Sequence, residues 1–135
     1  MTKYLAAYAA TIVVFAALDL LWLGLVAKSI YQQGIGHLMA DRPNFMVAAL
    51  FYAVFAMGLM VFAVAPGGSA TAWNKTLLTA TLLGFFAYAT CNLTNLATLK
   101  NWPIGLSVLD MVWGTALSVV AASAGKAVLD RFAAS

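Results

Sequence analysis

The chain has 135 residues, of which 64% are hydrophobic and only 8% charged, where soluble domains average about 45–50% and about 25%. A soluble fold of this size would lack the polar side chains to cover its surface, so lipid must do much of the covering. The net charge of +3 comes from seven Lys and Arg scattered near segment ends, which argues against nucleic-acid binding and reads as interfacial anchoring.

Four apolar stretches are each long enough to cross a hydrocarbon core that needs about 20 residues. The first runs about 4–27, between Lys3 and Lys28. Its apolar part exceeds the roughly 7–15 residues of a signal peptide, and Asp19 and Trp22 stand where cleavage residues belong, so it reads as a retained span. The Lys28–Arg42 connection follows. Ile30, Tyr31, Ile35, Leu38 and Met39 recur there at roughly helical spacing, which predicts a short interfacial segment interrupted by Gly34 and Gly36. The second span runs about 45–65, opened by Pro43-Asn44 and closed by Pro66-Gly67-Gly68, which cannot easily continue a helix. The third runs about 76–99, between Lys75 and Lys100. The fourth runs about 103–125, with Pro103 in its first turn and Lys126 after it; residues 127–135 read as a short tail extending that helix. The expected fold is an all-α membrane protein, a four-transmembrane-helix bundle forming one domain over residues 1–135.

An even number of spans puts both termini on one side with the Pro66–Lys75 loop. That side carries Lys3, Lys75, Lys126 and Arg131, against Lys28, Arg42 and Lys100 on the other. The surplus favours cytoplasmic termini in a bacterial inner membrane.

Three spans carry residues that are expensive in lipid: Asp19 and Trp22 in the first, Asn92 and Asn95 in the third, Asp110 and Trp113 in the fourth. Each pair is spaced i,i+3 and so shares a helix face, and Leu18-Asp19-Leu20-Leu21-Trp22 nearly repeats as Leu109-Asp110-Met111-Val112-Trp113. At 1.5 Å per residue, Asp19, Asn92 and Asp110 all lie roughly 10–12 Å in from the membrane face that bears the Lys28–Arg42 loop. Tyr8, Thr11 and Phe15 extend the first of these faces; Thr81, Gly84 and Tyr88 extend the third. The second span offers only Tyr52 as a polar residue, which predicts that helices 1, 3 and 4 surround the cluster and helix 2 buttresses it.

An Asp at a helix centre costs about 2.5–3.5 kcal/mol on insertion scales, so the two carboxyls should face protein or water. Placed close together they can share a proton, with Asn amides and Trp indoles as donors. The same groups can instead serve as hydrogen bonds that hold helices together. Lys100 can snorkel towards the cluster from the end of its span, and Tyr31 and His37 are further contributors if their segment folds over it. Trp102 reads as an interface anchor and Cys91 as a small packing residue. A single cysteine excludes an internal disulfide and any cysteine-based metal site. Ala80-x-x-x-Gly84 and Gly114-x-x-x-Ser118 are small-residue patterns that can bring helices together, within the chain or between copies.

Several of these stretches also resemble the DUF2177 family of small bacterial membrane proteins. The resemblance is carried by Leu18-Asp19-Leu20-Leu21-Trp22-Leu23-Gly24, Gly36-His37-Leu38, the run from Tyr88 to Lys100, Trp102-Pro103 and Asp110-Met111-Val112-Trp113-Gly114-Thr115. It implies the same topology and polar site and brings no activity with it. Where the family often reads Tyr-Asp, this chain has Cys91-Asn92, so the resemblance implies that a third intramembrane acid is missing here.

The function expected from these residues is that of a membrane protein with a one-leaflet polar pocket, binding a lipid or lipophilic small molecule through Asp19, Trp22, Tyr88, Asn92, Asn95, Asp110 and Trp113. Three alternatives stand beside it: a proton- or cation-coupled small carrier, a lipid- or quinone-modifying enzyme with the two Asp as acid and base, and an accessory subunit of a larger membrane complex. The expected partners are membrane lipid and a lipophilic small molecule, with a homo-oligomer or a membrane complex also open. The sequence leaves any cofactor unknown, and it indicates no metal site.

Overall fold

The computed structural model describes residues 2–26, 33, 45–64, 73–100 and 102–134. The Lys28–Arg42 segment, with Tyr31 and His37, lies outside the described residues apart from Gln33, and so does the loop before Trp73.

Among the described residues four helices are long and apolar enough to cross a membrane. Helix α1 covers Thr2–Leu21 and ends in a wider π-helical turn, Trp22–Val26. Helix α2 covers Phe45–Leu59 and closes in a second such turn, Met60–Val64. Helix α3 covers Trp73–Thr98 and α4 covers Ile104–Ala134. No strand occurs among the described residues. At 1.5 Å per residue α4 is about 46 Å long, more than a hydrocarbon core of about 30 Å. Its last turns therefore reach past the lipid tails. The chain is an all-α integral membrane protein.

In these helices the hydrophobic side chains point both ways. Phe15, Leu59, Val64, Leu117 and Leu129 are buried in the core, while Val13, Leu50, Phe86 and Val112 lie on the outside. Apolar residues all around a helix are the mark of a membrane span. Many hydroxyls in the spans are satisfied along their own helix: Thr11, Thr81, Thr90, Thr94, Thr98, Thr115, Ser118 and Ser123 each donate to the carbonyl four residues earlier, at 2.6–2.8 Å. Such local bonds let Ser and Thr sit in a span at little cost.

Helix α4 is central and packs along both α1 and α3. Small residues permit this. A Cβ on Gly84 would come within 2.5 Å of Ser118 Oγ, a Cβ on Gly114 would fall on the Tyr88 ring, and a Cβ on Gly125 would fall on Thr11 Oγ1. Both small-residue patterns are thus used inside the chain, in the α3–α4 contact. Helix α2 is held differently. It packs on α1 through Phe15, which meets Phe51, Tyr52 and Phe55 edge-on at ring centroids 5.1–6.1 Å apart, and through a 2.9 Å bond from the Tyr8 hydroxyl to the Ala53 carbonyl. It meets α3 and α4 chiefly through its closing turn, Met60–Val64. Away from that turn, α2 and α3 leave a gap.

Lys126 departs from its expected place as a flanking anchor. The helix runs on past it, and Lys126 is fully buried. Its Nζ pairs with Asp130 one turn on, at 3.2 Å, and lies 5.4 Å from the centre of the Trp73 ring. A carboxylate and a π face there replace the water that an interfacial lysine would keep.

Candidate functional site: an embedded acid pair beside a lateral groove

Several polar residues that bond across helices meet at one level of the bundle. Asp19 and Tyr52, Asn92 and Asp110 each stand about two turns, ~10 Å, from the helix end nearest the Lys28–Arg42 side. Antiparallel neighbours with their polar residues at equal depth bring those residues face to face.

Asp19 is 8% exposed and accepts at both oxygens. The Tyr52 hydroxyl donates to Oδ2 at 2.9 Å and the Trp113 indole donates to Oδ1 at 3.3 Å. One carboxyl thereby ties α1 to α2 and α4. Trp22 lies flat against Trp113, with ring centroids 4.4 Å apart and planes 9° from parallel. Its own indole nitrogen is buried and finds no acceptor among the described residues.

Asp110 has a different neighbourhood. Asn92, 2% exposed, donates from Nδ2 to Asp110 Oδ2 at 2.8 Å and to the Tyr88 carbonyl, also at 2.8 Å. The second bond anchors the amide to its own helix and aims it across to α4. Asp110 lies close enough to Asp19 for the two carboxyls to repel one another. Being on α4, it also stands three residues before Trp113, so one helix face serves both acids.

Beyond this cluster the gap between α2 and α3 forms a cavity of about 350 Å³, lined by Phe51, Val54, Phe55, Gly58, Leu83, Ala87, Tyr88, Cys91 and Asp110. Among the described residues its lining is mostly apolar, and Asp110 is the one acidic residue in it. A larger cavity of about 500 Å³ lies between α3 and α4, lined by Phe85, Val108, Met111, Val112, Thr115 and Ala116. Among the described residues the only polar side chain there is Thr115, which already donates to the Met111 carbonyl.

Of the residues singled out from sequence, Asp19, Trp22, Asn92, Asp110 and Trp113 come together in the cluster, and Tyr88 joins it at the groove wall. Asn95 does not: its amide faces the Cys91 sulfur of its own helix, 4.0 Å away. Lys100 is exposed at the turn after α3. Tyr31 and His37 lie outside the described residues. Tyr52 is the residue that sequence reasoning undervalued, because α2 contributes directly to the acid pair rather than buttressing it. The signal was there, in the only polar residue of the second span at a depth matching the others. Cys91 lines the groove and is exposed, not the core filler its type suggests. Trp102 turns inward, its indole donating to Ser107 Oγ at 2.9 Å, and so secures the start of α4.

Four lipid-facing helices around embedded acids define a polytopic integral membrane protein with a polar site inside the bilayer. The chain matches the family described as "Predicted membrane protein (DUF2177)" over residues 4–127. It belongs to that family. Neither a search of curated proteins nor one of solved structures finds a match.

Proposed function

We propose that this protein, seated in a bacterial inner membrane with both termini in the cytoplasm, binds a membrane lipid or another lipophilic small molecule in the groove between α2 and α3. The observation that carries the reading is the groove itself, a largely apolar cavity of about 350 Å³ with Asp110 among its lining residues. Ligand pockets span about 300–1,000 Å³ and combine apolar walls with a few polar groups. The bilayer supplies such ligands sideways, without passage through water. Asp110, held in place by Asn92, orients the head of the occupant. The Asp19 node keeps α1, α2 and α4 together behind it.

The test is retention of a bound lipophile. Protein extracted in mild detergent should carry a co-purified species in native mass spectrometry. Gly58→Leu should lose it, because a Cβ at position 58 meets only Leu83 Cδ2 at 3.9 Å, leaving a larger side chain to extend into the groove without breaking the fold. A folded wild-type protein that never retains or takes up a lipophile would refute the reading.

A further inference from the structure

The groove between α2 and α3 has a direction and an end. Phe51 of α2 and Cys91 of α3 line it at the level of the acids, and Gly58 and Leu83 line it at the other extreme. Seven residues of α2 and eight of α3 separate these levels, so at 1.5 Å per residue the space runs along the helices for about 10–12 Å. Midway, the Phe55 and Tyr88 rings meet with centroids 5.9 Å apart and form its back, while the exposed Val54 and Ala87 flank its mouth. Beyond Gly58 the helices converge. The Met60–Val64 turn packs on both α3 and α4, with Met60, Ala63 and Val64 buried there. The groove therefore stops at Gly58 and Leu83.

Resting on the reading of the groove as a lipophile site, we propose that it holds one hydrocarbon chain stretched along the helices and selects that chain by length, with Gly58 and Leu83 as the stop. A volume of about 350 Å³ spread over about 12 Å of helix is about 30 Å² in section, the width of one alkyl chain and not of two. An extended chain advances by about 1.2 Å per bond, as an extended backbone does over the three bonds of each residue. The groove thus takes about ten carbons between the level of Cys91 and the stop. A head group at the level of Thr98, where α3 ends, stands a further ~10 Å out. The chain that just reaches Leu83 from there has about 18 carbons. A shorter chain leaves the Gly58 end empty and forfeits the dispersion contacts it offers. A longer one has to turn out of the groove, because the Met60–Val64 turn closes the path.

Lysophosphatidylcholines share one head group, carry one chain and differ only in its length. The protein is exchanged into mild-detergent micelles that hold a saturated series of them, from ten to twenty carbons, at equal mole fraction. Native mass spectrometry then reads which species stay bound. Retention by the wild-type protein should peak at about 18 carbons, on the order of threefold above the ten-carbon species, as the loss of a few atom contacts requires. Gly58→Val fills the stop end, where an added Cβ meets only Leu83 Cδ2 at 3.9 Å, and should move the peak down by about two carbons. Leu83→Ala deepens the same end and should move it up by about two. Equal retention at every length in the wild-type protein would overturn length selection while leaving the groove reading intact. Retention of none would bring down the groove reading and this inference with it. A wild-type peak that stays in place in both variants would overturn the assignment to Gly58 and Leu83. The wild-type profile needs no variant, so a poorly folding substitution leaves the test decisive.

Discussion

Asp19 and Asp110 are carboxyls at the same depth with different surroundings. Asp19 is buried and accepts donors from two other helices, whereas Asp110 takes Asn92 and lines a groove. Removing a donor from Asp19 should therefore appear in stability. Tyr52→Phe should cost about 1 kcal/mol, the usual size of an interhelical bond in a membrane protein. Asp19→Ala should cost roughly 2–3 kcal/mol, since it leaves the Tyr52 hydroxyl and the Trp113 N–H without their acceptor. A double-mutant cycle between the two positions, read by unfolding in mixed micelles, should return a coupling on the order of 1 kcal/mol; zero coupling would mean that the bond carries no weight. Much at this scale was legible beforehand, because an acid or amide in a span is conspicuous and matched depths can be counted. Asn95 was not resolved, since residues spaced i,i+3 share a broad face but differ by a sixth of a turn, enough to send its amide to Cys91. Tyr52 was discounted because a tyrosine in a span has an equally good reading as an aromatic packing residue.

Packing of whole helices depends on where Cβ atoms are missing. Gly84 and Gly114 lie where α3 and α4 come closest, so Gly114→Ala would place its methyl on the Tyr88 ring and should destabilise by about 1–3 kcal/mol, as overpacking does. Gly105, on the same helix, has nothing within 4 Å of an added Cβ, and Gly105→Ala should be neutral or stabilising by up to about 1 kcal/mol. Thermal unfolding in one detergent compares the two directly, and equal effects would contradict the close crossing. The four helices and most of their limits could be read from hydropathy and from Pro, Gly and Lys at the ends. The π-helical turns at Trp22–Val26 and Met60–Val64 could not, because apolar runs carry no mark of how wide the last turn winds. Lys126 misled for a similar reason: a lysine after an apolar run looks like an anchor, and only the fold brings Trp73 and Asp130 to it.

The asymmetry of the whole molecule explains why the groove escaped the sequence. Helix α4 binds α1 and α3 along their lengths, while α2 leans on α1 and touches the rest chiefly at its closing turn. Between α2 and α3 this leaves space that only the relative tilt of two helices creates. No residue pattern announces it, and Phe51, Val54, Leu83 and Ala87 look like any lipid-facing side chains. The acids thus lie beside an apolar opening between α2 and α3, an arrangement suited to a ligand entering from the bilayer. The most direct measurement is photolabelling with a diazirine-bearing alkyl chain in nanodiscs, followed by mapping of the adducts. This account predicts adducts concentrated on the groove walls, at Phe51–Gly58 of α2 and Leu83–Cys91 of α3, and lost in Gly58→Leu. Adducts spread evenly over all four helices, or gathered instead on Val108–Ala116 in the larger cavity, would contradict it.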